Sequence, residues 1–224
     1  MKEYQFPKIQ IEEYDGIHVV RDDLLEGGSK RRFIDRYIRE QVSKGVNEFV
    51  FGGCPATGYA QMSLTLQAKQ YGANIQWVNM GMLNVTMSRA KKYYEEDTNH
   101  RCIFPLGLEH PYVIEDIERL AKSIKMWYNK PITEIWSVGS SGTLSRGLQK
   151  AFPDLPVYVV SVGHKMKDRE IGRAKMFRSP YKFDKPIKKE EAPPFPSAPT
   201  YDAKAWPFIK QYAKPGALFW NVGK

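Results

Sequence analysis

Lys30 stands in the segment RDDLLEGGSK, directly behind two glycines and a serine. Gly27 and Gly28 permit a tight turn and Ser29 can cap a helix, so Lys30 is expected in the first helical turn, where its side chain can point into a cleft. A lysine amine whose pKa is lowered by burial or by a neighbouring cation forms an imine with an aldehyde, which makes Lys30 a candidate nucleophile. The same pattern also fits a solvated lysine, the commonest state of this side chain.

A second segment, EIWSVGSSGTLSRGL, runs from an apolar strand through a glycine and hydroxyl loop directly into a helix. Such a loop suits an anion, because its backbone amides converge, the helix N-terminus carries partial positive charge and the hydroxyls add donors. It has neither the lysine of a Walker loop nor the spacing of a dinucleotide fingerprint. The sequence favours a phosphate site over an ordinary turn, formed by Gly139, Ser140, Ser141, Gly142 and Thr143.

Two further segments place polar groups beside apolar strands. In FVFGGCPATGYAQMSL a glycine-rich turn lies between a strand and a helix, and Thr57 stands in that turn. In APTYDAKAWPF, Tyr201 and Asp202 precede a short helix near the final strand. A buried tyrosine and a helix-capping aspartate explain the second segment as well as a reactive site does. Taken alone, neither segment identifies a function.

The elements that must position these groups follow from hydrophobic periodicity. Strands are predicted at 17–21, 48–51, 74–78, 102–104, 134–138, 157–162 and 217–220. Helices are predicted at about 30–43, 58–71, 85–95, 112–127, 143–151 and 203–213. The alternation predicts an α/β fold of parallel twisted sheets flanked by helices.

Composition bounds the class of protein. Of the 224 residues, 42% are hydrophobic and 26% charged, which is typical of a globular protein with a buried core. Only Cys54 and Cys102 occur, too few for a disulfide scaffold or a structural zinc site. No apolar run is long enough for a membrane helix and no secretory signal is recognisable, so we expect a protein of the cytoplasm, or of the host cytoplasm if the chain is viral, with no membrane partner.

Positive charge is concentrated late in the chain. The stretch from Lys165 to Lys189 holds ten Lys or Arg against three Asp or Glu, a surplus of seven out of the formal charge of +9. Together with the proline-rich run that follows, it forms a basic, Pro-rich segment, 165–199, expected as a loop or tether. Basic side chains interleaved with Phe177, Tyr181 and Phe183 can follow a phosphate backbone and stack on bases, so DNA is an expected partner of this stretch, although a merely solvated arm needs only the charge.

Taken in this order, the four segments resemble the fold-type-II, tryptophan-synthase-β-like enzymes that use pyridoxal 5'-phosphate (PLP), particularly the group of aminocyclopropane-carboxylate deaminase and D-cysteine desulfhydrase. RDDLLEGGSK is similar to the family's turn that presents the Schiff-base lysine, which implies that Lys30 holds the cofactor. GSSGT resembles its phosphate loop, so the resemblance places the cofactor phosphate at residues 139–143. YDAK is similar to a family segment and implies Tyr201 near the reacting centre and Asp202 at the pyridine nitrogen.

The resemblance also implies an architecture. It predicts a truncated two-lobed fold, with 1–50 plus 131–224 as the larger PLP-binding lobe and 51–130 as a smaller α/β lobe. Thr57 falls where family members contact the cofactor ring and the substrate carboxylate with other residues, so the resemblance assigns it to the cofactor site. A homodimer is the expected assembly.

The function implied is an enzyme acting at the α carbon of an amino-acid-type amine, by decarboxylation, deamination or elimination. The amine is either a free amino acid, as for a deaminase or desulfhydrase, or an amino-acid group attached to a DNA base, as in phage thymidine hypermodification. The alternative class is a non-catalytic module that binds phosphate or nucleic acid without an imine, and the chemistry of Lys30 separates the two.

Overall fold

The computed structural model describes residues 2–53, 59–163 and 166–224, with the side chain of residue 59 left outside. The strands are β1 (Ile11–Tyr14), β2 (Ile17–Arg21), β3 (Glu48–Gly52), β4 (Asn74–Val78), β5 (Arg101–Ile103), β6 (Glu134–Gly139), β7 (Val157–Ser161), β8 (Lys175–Arg178) and β9 (Ala217–Asn221). The helices are α1 (Ser29–Ser43), α2 (Tyr59–Gln70), α3 (Leu83–Glu95), α4 (Pro111–Trp127), α5 (Thr143–Ala151), α6 (Asp168–Ile171) and α7 (Trp206–Tyr212). Short 3-10 turns lie at Asp22–Leu24, Leu106–Leu108, Lys189–Glu191 and Asp202–Ala205.

A six-stranded sheet has the order β1-β2-β9-β6-β7-β8. Its edge strand β1 pairs antiparallel with β2 through a two-residue turn at Asp15 and Gly16, which have φ of 52° and 78°, the positive values that such a hairpin needs. The remaining neighbours are parallel. Every residue of β2, β6 and β9 is buried, as expected of strands covered on both faces.

A three-stranded parallel sheet has the order β4-β3-β5. Its central strand β3 is mostly buried, whereas β4 and β5 are exposed or half-buried along their whole length. Helices α1 and α4 carry apolar stripes toward the core, and α4 packs on α5 where Gly147 leaves room for Ile117. The predicted α/β fold of parallel sheets flanked by helices is confirmed, while the predicted lobe boundaries stay a prediction.

The structure differs from the sequence predictions in three places. Strand β1 was not predicted, because IEEY shows little of the apolar character that marks the other strands. The basic, Pro-rich segment is not a simple tether: it contributes α6 and β8, and β8 pairs parallel with β7. The predicted helix at 203–213 is a 3-10 turn at Asp202–Ala205 followed by α7, with Pro207 in the first turn of α7.

Two findings concern function classes. No helix within the described ranges is long and apolar enough to cross a membrane. Among the residues that the structure describes, no group of three or more His, Cys, Asp or Glu side chains is arranged to hold a metal ion.

Candidate active site

A cavity of about 60 Å3 lies at the carboxyl ends of β6 and β9, between the first turns of α1 and α5. Ligands of parallel α/β sheets generally bind at this edge. Predicted site residues from three distant parts of the sequence line it together: Lys30, Gly139, Ser140, Ser141, Gly142, Thr143 and Tyr201. The remaining lining is mostly apolar, from Phe33, Gly107, Leu108, Val113, Ile117, Val138, Leu144 and Val222.

The turn that presents Lys30 is fastened to the end of β9. Gly28 has a φ of 66° and precedes α1, and the Ser29 amide donates to the Val222 carbonyl at 3.0 Å. The Ser29 hydroxyl accepts from the Trp220 indole at 2.9 Å and donates to Asp22 at 2.6 Å. Three hydrogen bonds, to the end of β9 and to the 3-10 turn at Asp22–Leu24, therefore fix the backbone from which Lys30 projects.

Buried charged side chains stabilise the turn that presents Lys30. Arg32 donates to Asp22 at 3.0 Å, and burial raises the pKa of the Asp22 carboxyl while Arg32 opposes that shift. Arg21 makes a two-pronged contact with Asp23 at 2.8 and 2.9 Å. Asn221 at the end of β9 donates to the same Asp23 carboxylate at 2.9 Å. Paired and hydrogen-bonded in this way, the charges hold the end of β2 beside the end of β9.

Lys30 is half-buried and its ammonium lies 5.6 Å from the centre of the Tyr201 ring. An ammonium at this distance over an aromatic face is attracted by the ring's quadrupole. The Tyr201 hydroxyl in turn donates to the Ser140 hydroxyl at 3.4 Å, a long hydrogen bond, and burial raises the pKa of Tyr201 to about 12. Tyr201 therefore bridges the lysine turn and the glycine-serine loop.

The loop from Gly139 to Thr143 is shaped by close backbone approaches. Gly142 has a φ of 71°, and a Cβ there would collide with the Glu170 carbonyl. The hydroxyls of Ser141 and Thr143 both donate to the Gly107 carbonyl, at 3.1 and 2.9 Å. The first amides of α5 have no acceptor within their helix, so this loop presents donors and a helix N-terminus to one side of the cavity.

Asp202 is 2% exposed, and its Oδ1 has no hydrogen-bond partner among the described residues. Burial raises the pKa of its carboxyl to about 7, while Lys30 and the amides of Val222 and Gly223 oppose the shift. A buried acceptor without a donor is uncommon in folded proteins. Asp202 thus offers a hydrogen-bond position beside the lysine turn.

These groups fit PLP by type and arrangement. The 139–143 loop with the start of α5 suits its phosphate, Lys30 its aldehyde, and the unpartnered Asp202 Oδ1 its protonated ring nitrogen. The enclosed space is smaller than the roughly 300–1,000 Å3 of typical ligand pockets, so the cavity has to widen to admit a ring. A larger cleft of about 810 Å3 lies on the outer faces of α4 and α5, away from Lys30, and lacks this set of groups.

The structure brings most of the predicted residues together. Lys30, the 139–143 loop and Tyr201 share the cavity, and Asp202 lies close enough to Lys30 to feel its charge. Thr57 lies outside the described residues. Sequence reasoning missed Gly107 and Asn221, which support the site from loops or strand ends, and only the glycine in PLGLEH gave any signal of the first. The chemical roles of all these residues stay predictions.

Comparison with known proteins identifies the fold. The chain superimposes on an ACC deaminase homologue with a TM-score of 0.72 and 16% identity, over 92% of this chain and 84% of that one. It superimposes on threonine deaminase isoform 2 from Solanum lycopersicum with a TM-score of 0.63 and 13% identity, over 97% and 84% of the two chains. A hydrogen sulfide-producing enzyme, Fn1220, from Fusobacterium nucleatum gives a TM-score of 0.62 and 11% identity over 97% and 93%.

No family model matches the chain, and no curated protein matches it. The structural likeness shows that the chain has the α/β fold of fold-type-II PLP-dependent enzymes. The resemblance inferred from the sequence is confirmed as far as the fold is concerned.

Proposed function

We propose that this chain, which has the fold of fold-type-II PLP enzymes, uses PLP to break a bond at the α carbon of an amino-acid-type amine. The observation that carries the proposal is the convergence of Lys30, the 139–143 loop and Tyr201 around one cavity, with the buried Asp202 carboxyl near enough to Lys30 to feel its charge. The similar structures, an ACC deaminase homologue, a threonine deaminase and a hydrogen sulfide-producing enzyme, support the lyase and deaminase class.

Each residue has a distinct task in this proposal. Lys30 would hold the cofactor through its aldehyde, since its amine is the one lysine amine that the described residues bring to the cavity lining. The 139–143 loop and the start of α5 hold the cofactor phosphate. Asp202 accepts a hydrogen bond from the ring nitrogen and keeps that nitrogen protonated. When bound, PLP withdraws electrons from the α carbon, which is the common requirement of deamination, elimination and decarboxylation.

Borohydride trapping tests the proposal. The protein is loaded with PLP, reduced with borohydride, digested and mapped by mass spectrometry. We expect the cofactor on the peptide that contains Lys30, with visible absorbance in the violet before reduction. Attachment to another lysine would move the site, and no attachment at all would leave the non-catalytic phosphate-binding alternative.

The substrate assignment can be made finer, and we propose that the amino-acid group is attached to a DNA base, as in phage thymidine hypermodification. All nine Lys and Arg side chains described between 167 and 189 are exposed, and the charge surplus of the chain lies there. No carboxylate lies within 4.0 Å of Arg178 or Lys182 in the part of the chain that the structure describes. This stretch also adjoins the cavity, because the Phe183 ring meets the Tyr201 ring edge-on at 6.3 Å.

Salt dependence tests the DNA proposal. The variant combines Lys175→Gln, Arg178→Gln and Lys182→Gln. Arg173 is left intact because it caps the end of α5 through the carbonyls of Gln149 and Phe152. Each lost phosphate contact lowers the log-log slope of DNA binding by about 0.7 to 0.9, so three contacts lower it by roughly 2 to 3.

The matched control neutralises Lys91, Lys122 and Lys210, three exposed lysines outside the basic, Pro-rich segment that already pair with acidic residues. We expect its slope to stay that of the parent and PLP loading to be equal in all three proteins. An unaltered slope in the first variant, or no DNA binding by the parent, returns the substrate to a free amino acid.

A further inference from the structure

Lys204 is a buried lysine in the 3-10 turn that also carries Asp202. It is 1% exposed, and its ammonium donates to the carbonyls of Lys182 and Phe183 at 2.8 and 3.2 Å. No carboxylate lies within 4.0 Å of it among the described residues, although Asp184 is near enough to oppose the lowering of its pKa that burial causes. A charge buried against two carbonyls alone costs free energy, so its position calls for a role.

The two carbonyls belong to the loop that follows β8. The same loop presents the Phe183 ring, which meets the Tyr201 ring edge-on at 6.3 Å and covers Gly163 at the end of β7. Tyr201 in turn faces Lys30 and reaches Ser140. A continuous series of contacts therefore runs from Lys204 through the loop to the aromatic ring that lines the candidate active site.

We propose that Lys204 is a positioning residue: it holds loop 179–185 so that Phe183 fixes the orientation of the Tyr201 ring over Lys30. One turn thereby serves both sides, since Tyr201 lines the cavity and Lys204 fastens the loop behind it. The part of this inference that concerns turnover rests on the proposed function. The part that concerns the loop and Tyr201 is independent of the cofactor.

Limited trypsin digestion measures the loop directly. Lys204→Met keeps the approximate length of the side chain and removes both hydrogen bonds to the carbonyls of Lys182 and Phe183. Cleavage after Arg178 and Lys182 needs a released backbone, and we expect it to speed up about ten- to hundredfold, the range for losing charged hydrogen bonds. Lys210→Met, which removes an exposed lysine from α7, is the control and should leave the rate unchanged.

Acetylation of tyrosine hydroxyls, mapped by mass spectrometry on the cofactor-free protein, reports on the Tyr201 ring. Lys204→Met and Phe183→Ala should both raise the labelling of Tyr201, and the double variant should add little to either, because both act through one contact. Phe183→Ala is a surface change and keeps the test decisive if Lys204→Met does not fold. Unchanged trypsin cleavage or unchanged Tyr201 labelling in the folded variants would overturn the proposal.

In the PLP-loaded enzyme, both variants should lower kcat about tenfold while cofactor loading and KM for the amine stay near the parent values, since an ill-placed ring affects the reaction more than binding. A tenfold rise of KM with constant kcat would instead mean that the loop binds substrate and does not position Tyr201. If the parent takes up no PLP, the proposed function fails, whereas the trypsin and labelling results still decide the role of Lys204.

Discussion

The six-stranded and the three-stranded sheets differ in how deeply their strands are buried. Strands β2, β6 and β9 of the larger sheet are buried at every residue, whereas no residue of β4 or β5 is buried. All the described candidate groups come from strands of the larger sheet or from the loops, turns and helix starts that adjoin it. The smaller sheet instead leads into a loop with Met80 and Met82, which are 78% and 71% exposed. The fully buried strands, which packing holds in place on both faces, therefore lie where the cofactor is proposed to bind.

Among changes beside the six-stranded sheet, replacement of Lys30 should have the largest effect. Lys30→Ala removes the amine proposed to hold the aldehyde, so we expect loss of covalent attachment and of turnover. Borohydride trapping and activity assays measure both. Lys44→Ala, at the exposed end of the same helix, should retain both, and a Lys30→Ala variant that still turns over would assign the chemistry elsewhere.

The stability of the cofactor-free protein should depend on pH through Asp202. Burial raises the pKa of its carboxyl from 3.8 to about 7, so the folded state keeps a proton that the unfolded state releases in this range. Stability from this group is therefore full below about pH 4 and is lost as the pH rises to about 7, by at most about 4 kcal/mol at roughly 1.4 kcal/mol per unit.

Urea unfolding of the parent and of Asp202→Asn at several pH values isolates the contribution of Asp202 to stability, because the asparagine does not titrate. The difference in unfolding free energy, parent minus variant, should fall between pH 4 and pH 7 and level off above. A difference that stays constant over this range would show that Asp202 is not protonated in the folded chain.

Asp202→Asn should also slow the PLP-loaded enzyme by about a hundredfold in kcat, equivalent to about 2.7 kcal/mol, while PLP stays bound. The variant removes the charge partner of the ring nitrogen but leaves the phosphate loop intact. Steady-state kinetics with cofactor content measured by absorbance separate the two effects. Full turnover at full occupancy would remove Asp202 from the reacting centre.

Gly142→Ala tests how tightly the phosphate loop is built. The new Cβ meets the Glu170 carbonyl and the backbone has a positive φ, so we expect a loss of about 2–3 kcal/mol in stability and weaker PLP binding. Gly45→Ala is the control, since it has a φ of 101° but no atom within 4 Å of its Cβ, and it should lose only about 1–2 kcal/mol. Equal losses would mean that the contact with Glu170 is unimportant.

The smallest effect is expected beside the three-stranded sheet. Met80→Ser changes a side chain that is 78% exposed, so unfolding free energy should stay within about 0.5 kcal/mol and PLP affinity should be unchanged. Chemical denaturation and cofactor titration measure both. Loss of PLP binding in this variant would contradict the proposal that the cofactor binds beside the six-stranded sheet.

The local parts of the site were readable from the sequence. The turn before Lys30 and the loop at 139–143 are set by neighbouring residues, and the apolar runs of β2, β6 and β9 are strong signals. The non-local parts were not. The sequence IEEY has no pattern that predicts a strand, because this strand forms through its pairing with β2.

The sequence also did not predict which polar groups are buried and how they are paired. Lys204 looks like an ordinary lysine in YDAK, and its burial follows from a loop that returns from residues 182 and 183. The orphaned Oδ1 of Asp202 and the carbonyl of Gly107 that accepts from Ser141 likewise depend on distant segments. Pattern reasoning assigns residue types to elements, whereas these contacts arise only when the elements assemble.

Strand β9 lies between β2 and β6, and His18 pairs with Leu218 across 200 positions of sequence. Such non-local pairing slows folding, because a long loop has to close before the contacts form. During synthesis the three-stranded unit of residues 48–103 can assemble early, whereas the larger sheet lacks a central strand until Ala217–Asn221 has left the ribosome. Until then β2 and β6 each have one edge of unpaired backbone N–H and C=O groups, which can pair with a strand of another chain.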